Sequence, residues 1–190
     1  TLAKGFTIIE TLVALSIFTF AILGLIVITS QGIADTAFAK NKLIASYLAQ
    51  EGVEIVRNMR DSSMLAGATW QDTFGSTSLA GLSACYLTPQ SSGCDIDPYT
   101  LSIDGCALSL RAGCGPLHYD PVTGTYRSHS QGLTFPESRF TRVISLADIS
   151  PNEVEITTTI SWDQGTTERS VSVTETLFDW IAITPVAPPL

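Results

Sequence analysis

The chain has 190 residues, 45% of them hydrophobic, and a formal net charge of −8. That acidic balance repels phosphate backbones and argues against broad nucleic-acid contact, which is driven by Lys and Arg. Once an apolar N-terminal stretch is set aside, the remaining length suits one ordinary domain.

The apolar stretch comes first. Between residues 6 and 28 only Glu10 ionises. As a helix rising about 1.5 Å per residue, this stretch reaches about 35 Å, enough for a bilayer core of roughly 30 Å. A cleaved secretory signal has a shorter apolar region ending in small residues. Ala37-Phe38-Ala39 offers such an end, but the run before it is too long and carries Glu10. A charge at membrane depth is costly and needs a reason. One reading makes Glu10 incidental to a plain signal anchor, solvated at headgroup depth. Lys4 lies on the short N-terminal side, so the positive-inside bias places that end in the cytoplasm and the rest outside.

Helical character continues past the apolar run, because no proline interrupts residues 1–86. Within 35–61, Phe38, Ile44, Leu48, Ile55 and Met59 recur at steps of three and four, with Ala37, Ala45 and Gly52 on or near the stripe. Lys40, Lys42, Glu51, Glu54 and Arg57 lie mostly off it, and Arg57 is spaced to pair with Asp61. The spacing predicts one helix over residues 6–60, roughly 80 Å long. Gly32 is a weak point at the join.

Residues 61–100 are rich in Ser, Thr and Gly and read as loops with short elements, in which Trp70 and Phe74 pack locally. Four cysteines follow at Cys85, Cys94, Cys106 and Cys114. An exported domain with an even cysteine count favours disulfides, and three pairings are possible. Cys85–Cys94 and Cys106–Cys114 are preferred, because each closes a short segment containing Gly, Ser or Pro. The spacing lacks the paired CxxC pattern of a zinc site. Asp95, Asp97 and Asp104 form a weak calcium candidate without EF-hand spacing, and a solvated acidic loop is the preferred reading.

The second half reads as strands. Residues 117–119 and 125–127 flank the turn signal Asp120-Pro-Val-Thr-Gly124, and 140–146 is a third strand candidate. Val154, Ile156, Thr158, Ile160 and Trp162 then alternate with Glu153, Glu155, Thr157, Thr159 and Ser161. After a turn over Asp163-Gln-Gly-Thr166, Val171 and Val173 alternate with Ser170, Ser172 and Thr174. Period-two alternation with one polar face predicts an antiparallel sheet solvated on one side. Its apolar face needs a cover, and the amphipathic part of the long helix is the one element long enough to supply it. Trp70, Trp162 and Trp180 are expected in the core, and the Pro-rich tail 184–190 as a loose end.

No metalloprotease HExxH, nucleophile-elbow GxSxG, Walker or dinucleotide glycine motif occurs. His118 and His129 are isolated in loop-like segments. No catalytic residue, cofactor or nucleic-acid partner is expected.

The segment Lys4-Gly5-Phe6-Thr7-Ile8-Ile9-Glu10, followed at once by the membrane helix, resembles the processing site of type IV pilins and type II secretion pseudopilins. Leu48-Ala-Gln-Glu-Gly-Val-Glu-Ile-Val-Arg-Asn-Met-Arg-Asp61 is similar to the helix of PilV-like minor pilins and I-type pseudopilins. The resemblance covers residues 4–61 well and the rest only in general pattern. It implies an α+β pilin fold, a long helix packed on an antiparallel head. Residues 1–5 would be a leader remnant, 6–29 the membrane and fibre-core helix, 30–61 its amphipathic half, 62–184 the head and 185–190 the loose tail. Gly5 would precede the cut of a prepilin peptidase, Phe6 would become the N-methylated end, and Glu10 would face the Phe6 ammonium of a neighbouring subunit in the fibre. The chain would wait in the cytoplasmic membrane with its head outside, then join a surface fibre with other pilin subunits. Residues 22–28 lack the proline that many major pilins carry, with Gly24 the only weak point. That departure favours a minor pilin-like subunit of a type IV pilus. A secretion pseudopilin or a tip-located, ligand-binding minor pilin is the alternative.

Overall fold

A computed structural model describes residues 5, 7–74, 82–88, 91–107, 114–128, 131 and 134–180. The elements are α1 (Ile8–Leu65), α2 (Trp70–Phe74), a 3-10 turn (Leu82–Cys85) and seven strands: β1 (Ser91–Ile96), β2 (Ile103–Ala107), β3 (Pro116–Asp120), β4 (Thr125–Arg127), β5 (Glu137–Ser150), β6 (Glu153–Gln164) and β7 (Thr167–Phe178). The chain divides into two compact units, Thr1–Lys42 and Leu43–Leu190. The division falls inside α1, so the second part of the helix belongs with the sheet.

α1 is a single helix of 58 residues. Its start is set by Thr7, whose carbonyl accepts from the N–H groups of Glu10 and Thr11 and whose hydroxyl lies 3.4 Å from Glu10 N. Thr7 and Glu10 have the spacing of a capping box, and an acid in the first turn suits the positive end of the helix dipole. Every residue from 7 to 37 is exposed. The hydroxyls of Thr11, Ser16, Thr19, Thr29 and Thr36 turn back onto carbonyls three or four residues earlier, at 2.7–2.8 Å. Such back-bonding hides polar groups from an apolar surrounding.

The helix ends at Leu65, five residues beyond its predicted end. Gly67 adopts φ 91°, and the N–H groups of Gly67 and Ala68 bond the carbonyls of Met64 and Ser63. This is the Schellman arrangement, in which glycine takes the left-handed conformation that closes a helix. α2 follows with its own reciprocal cap: Asp72 Oδ2 accepts from Thr69 N at 2.9 Å, and Thr69 Oγ1 accepts from Asp72 N at 3.2 Å.

The strands form one 7-stranded antiparallel sheet. β5 is its spine. β6 pairs along one side of β5 and β7 along the far side of β6. The other side of β5 is shared between β1, at Ile144, and β3, at Thr141 and Glu137. β2 and β4 complete two small hairpins with β1 and β3. The predicted 153–162 face is correct: Val154, Ile156, Thr158, Ile160 and Trp162 are all buried. The strand predicted at 140–146 is longer, and two further strands appear: β1, inside the stretch read as loops with short elements, and β2, just past it, where no element is predicted. Their residues are Ser-, Gly- and Asp-rich, so propensity gave no warning. Pairing with β5 and the two disulfides hold them in extended form instead.

The helix part within the second unit buries Ala45, Leu48, Ala49, Gly52, Val53, Ile55, Val56, Arg60 and Met64. This stripe runs close to the predicted one but is rotated, so Val53 and Val56 lie at its centre while Ile44 and Met59 are half-buried and Ala37 is exposed. Together with Trp70, Phe74, Ile144, Leu146, Val154, Ile156 and Leu177 it forms the core. Contact is closest at Gly52: a Cβ there would lie 2.6 Å from Thr158 Cγ2 and 2.9 Å from Thr158 Oγ1. A side chain at this position would push helix and sheet apart. Trp180, expected in the core, is 65% exposed beyond the end of β7. The tail 184–190 lies outside the described residues.

Candidate functional site

The sequence-predicted processing and assembly residues sit at the head of α1. Gly5 is exposed, Glu10 lies in the first helical turn, and Phe6 lies outside the described residues. Among the described residues no cation comes within ion-pair distance of the Glu10 carboxylate. Thr7, which positions Glu10 by capping the helix, was missed by sequence reasoning, although Thr-x-x-Glu is a recognisable start signal. Beyond this turn, α1 is long and apolar enough to cross a membrane. Ile8, Phe18, Phe20 and Ile28 are each more than half exposed. Exposed apolar surface of this extent marks a segment made for a non-aqueous surrounding or for other helices.

The second set of predicted residues, Asp95, Asp97 and Asp104, sits near the paired edge of β1 and β2, where Asp95 and Asp104 face each other across the ladder. Their oxygens serve cationic and hydroxyl partners within the protein. Arg142 on β5 is fully buried and donates from Nε to Asp95 Oδ1 at 2.7 Å, from Nη1 to Glu51 Oε2 at 2.8 Å and from Nη2 to the Ile96 carbonyl at 2.6 Å. Burial opposes the Arg142 charge, but Asp95 and Glu51 outweigh it and raise its pKa. Burial raises the Glu51 pKa, and Arg142 only partly offsets this. The network ties α1, β1 and β5 at one point. Arg142 was legible as an anomaly, a charge in phase with the apolar positions Phe140, Ile144 and Leu146.

Asp97 is likewise internal. It takes Arg127 Nε at 2.8 Å and the backbone N–H groups of Tyr99, Thr100 and Ser128 at 3.0–3.1 Å. Burial would raise its pKa, but Arg127 and those N–H groups prevail and bring it down to about 2. Arg127 also lies over the Tyr99 ring, 4.8 Å from its centre. Asp104 accepts from Ser128 Oγ at 3.2 Å. Asp95 and Asp97 are therefore buried charge partners of the fold rather than the solvated acidic loop expected, Asp104 is half-buried against the Ser128 hydroxyl, and no group of three metal-ligating side chains forms among the described residues. His118 is buried with Nδ1 2.8 Å from the Phe135 carbonyl oxygen, while His129 lies outside the described residues.

The cysteines pair as preferred, Cys85 with Cys94 and Cys106 with Cys114. The first bridge fixes the 3-10 turn to β1 beside Asp95. The second fixes β2 to the residue run leading into β3. The expected Arg57–Asp61 pair does not form. Arg57 instead reaches Glu54 and, across to β7, Glu175, while Asp61 takes Arg60. A neighbouring strand supplies a better-placed acid than the next helical turn.

Comparison with protein-family models, with curated proteins and with solved structures finds no match to this chain. What the arrangement can do follows from its own chemistry. One end is an apolar helix carrying a single carboxylate at its start. The other is a disulfide-braced head in which Arg142 is matched by Asp95 and Glu51, and Asp97 by Arg127.

Proposed function

We propose that this chain is a minor pilin-like structural subunit, cut by a prepilin peptidase after Gly5 and assembled with other pilin subunits into a type IV pilus. One observation carries the reading: a helix apolar all round bears a single carboxylate, Glu10, five residues after Gly5, and runs unbroken into a stripe that covers an antiparallel sheet. Before assembly the apolar segment resides in the cytoplasmic membrane, with the head outside. Cleavage exposes an ammonium on Phe6. Neither that ammonium nor the Glu10 carboxylate is well accommodated alone in an apolar bundle, where each charge costs several kcal/mol. A staggered neighbour brings the two together, and the need to match them sets the register between subunits. The back-bonded hydroxyls along residues 11–36 suit the same surrounding, because they leave few polar atoms facing lipid or neighbouring helices.

The test is mass spectrometry of the mature N-terminus of protein recovered from cells. A methylated Phe6 start supports the reading; retention of residues 1–5 in polymerised protein defeats it. Recovery in sheared surface filaments distinguishes a pilus subunit from a secretion pseudopilin. Gly5→Ala is expected to leave an unprocessed, larger band.

A further inference from the structure

The head has one long edge that stands open among the described residues. β7 pairs with β6 residue for residue, from Gln164–Thr167 at the turn to Glu153–Phe178 at the far end, and it has no described neighbour on its other side. Edge strands are ordinarily blunted by bulges, prolines or lysines. β7 has no bulge, proline or lysine, and its charged residues are Glu168, Arg169 and Glu175: its 12 residues read TERSVSVTETLF, and its register against β6 has no shift.

The backbone groups facing outward can be assigned. Gly165-Thr166 is a two-residue turn, so Gln164 and Thr167 form the first hydrogen-bonded pair. Hydrogen-bonded pairs then recur at alternate residues. Odd-numbered residues of β7 spend their N–H and C=O on β6. Even-numbered residues, Ser170, Ser172 and Thr174 among them, present theirs to the outside.

The sequence of this edge is complementary to itself. When two copies of β7 run antiparallel about Ser172, Ser172 faces its own copy, Ser170 faces Thr174, Val171 faces Val173, and Arg169 faces Glu175. Every outward-facing backbone group in this stretch meets an outward-facing mate. Opposite charges fall across from each other on both sides of the centre, and directly opposed charge pairs favour a register. Centring the pair on Val171 or Val173 instead sets Arg169 against Val173 or Leu177 and loses that match. Arg57 reaches Oε1 of Glu175, and the carboxylate has a second oxygen to offer Arg169 of the other copy. The serine and threonine ladder of the solvated face, joined at Thr157–Thr174 (3.1 Å) and Thr159–Ser172 (2.9 Å), would continue across the junction.

We propose that β7 is a self-pairing edge, and that its occupant is β7 of a second copy of this chain, antiparallel and centred on Ser172. The two heads joined in this way run in opposite directions along one shared sheet. Self-pairing of heads holds whether or not the chain enters a fibre.

The experiment uses the full chain in detergent micelles, where anchors are free to take opposite directions. Its four native cysteines are occupied in disulfides, which leaves introduced thiols as the reporters. Under mild oxidation, Ser172→Cys is expected to form a disulfide-linked dimer about tenfold faster than Ser170→Cys, because pairing raises the local concentration of the matching thiol. Mixing Ser170→Cys with Thr174→Cys protein is expected to restore fast cross-linking. Equal rates for Ser172→Cys and Ser170→Cys overturn the proposal. Ser172→Pro removes an outward N–H at an edge position that tolerates proline, so the head stays folded and the sedimenting dimer is lost. Arg169→Glu sets like charges opposite each other and is expected to weaken the dimer in a protein whose edge backbone is intact. A dimer that survives both substitutions also overturns the proposal.

Discussion

The two parts of α1 are built by different rules although no break separates them. Residues 7–37 are exposed and, as far as Ile28, apolar on every side, and the hydroxyls of Thr11, Ser16, Thr19, Thr29 and Thr36 are folded back on the helix. Residues 43–65 are polar over most of their surface and bury one stripe, centred on Ala49, Val53 and Val56. The second part draws its stability from tertiary packing, as amphipathic helices do. The first part has no such packing and carries its apolar surface toward an external medium. Charge is handled differently as well. In the second unit Arg142 is buried against two acids and a carbonyl. In the first, Glu10 stands without an ion partner among the described residues. A buried charge matched inside the head is a structural device; Glu10, on the apolar stretch, has no such match among the described residues.

Substitutions that separate these rules test the contrast. The largest effect on the head is expected from Arg142→Ala, which leaves Asp95 buried without its cation and should cost about 3–5 kcal/mol. Denaturant unfolding of the detergent-solubilised chain, followed by tryptophan fluorescence, measures it; a loss under about 1 kcal/mol means that the network is incidental. Gly52→Ala drives a methyl into Thr158 and should cost about 1–3 kcal/mol in the same assay, with membrane insertion unchanged.

Acid provides a smaller and reversible perturbation. The Asp97 pKa is lowered in the fold from 3.8 to about 2, so its contribution is full above about pH 4 and disappears as the pH falls toward 2. The stability gap between the wild type and Asp97→Asn should therefore narrow across that window. A gap that stays constant with pH contradicts the Arg127 pairing as its source. The smallest effect on the head belongs to Glu10→Ala, which should leave the unfolding midpoint and insertion where they were and reduce entry into fibres. A shifted midpoint would show that the two units are not independent in the way the contrast requires, and undiminished fibre entry would remove Glu10 from subunit register.

Much of this was readable in advance where the signal is local and periodic. The β6 face came out residue for residue, because a sheet with one wet side writes its burial into alternate positions. The disulfide pairs were also legible, since each spans a short segment that must close on itself. β1 and β2 were not, because Ser91-Ser-Gly-Cys-Asp-Ile96 has weak strand propensity and becomes extended through its neighbours β2 and β5. Residue type alone places Trp180 in the core, whereas its position past the end of β7 exposes it. The helix end shifted by five residues because a single glycine, Gly67, fixed it and not the fading of the apolar stripe.

The amino-acid sequence by itself determined that this chain has an apolar helix with one acid near its start, an amphipathic continuation and a one-faced antiparallel sheet. These depend on the order of residues along a rod or a ribbon, where side-chain direction repeats every few positions. Only the tertiary structure decided that Arg142 is neutralised by Asp95 and Glu51, that Asp97 belongs to Arg127, and that β7 is left as an edge among the described residues. Each of these brings together groups distant in sequence, and their energies depend on burial and approach distances that no local pattern encodes.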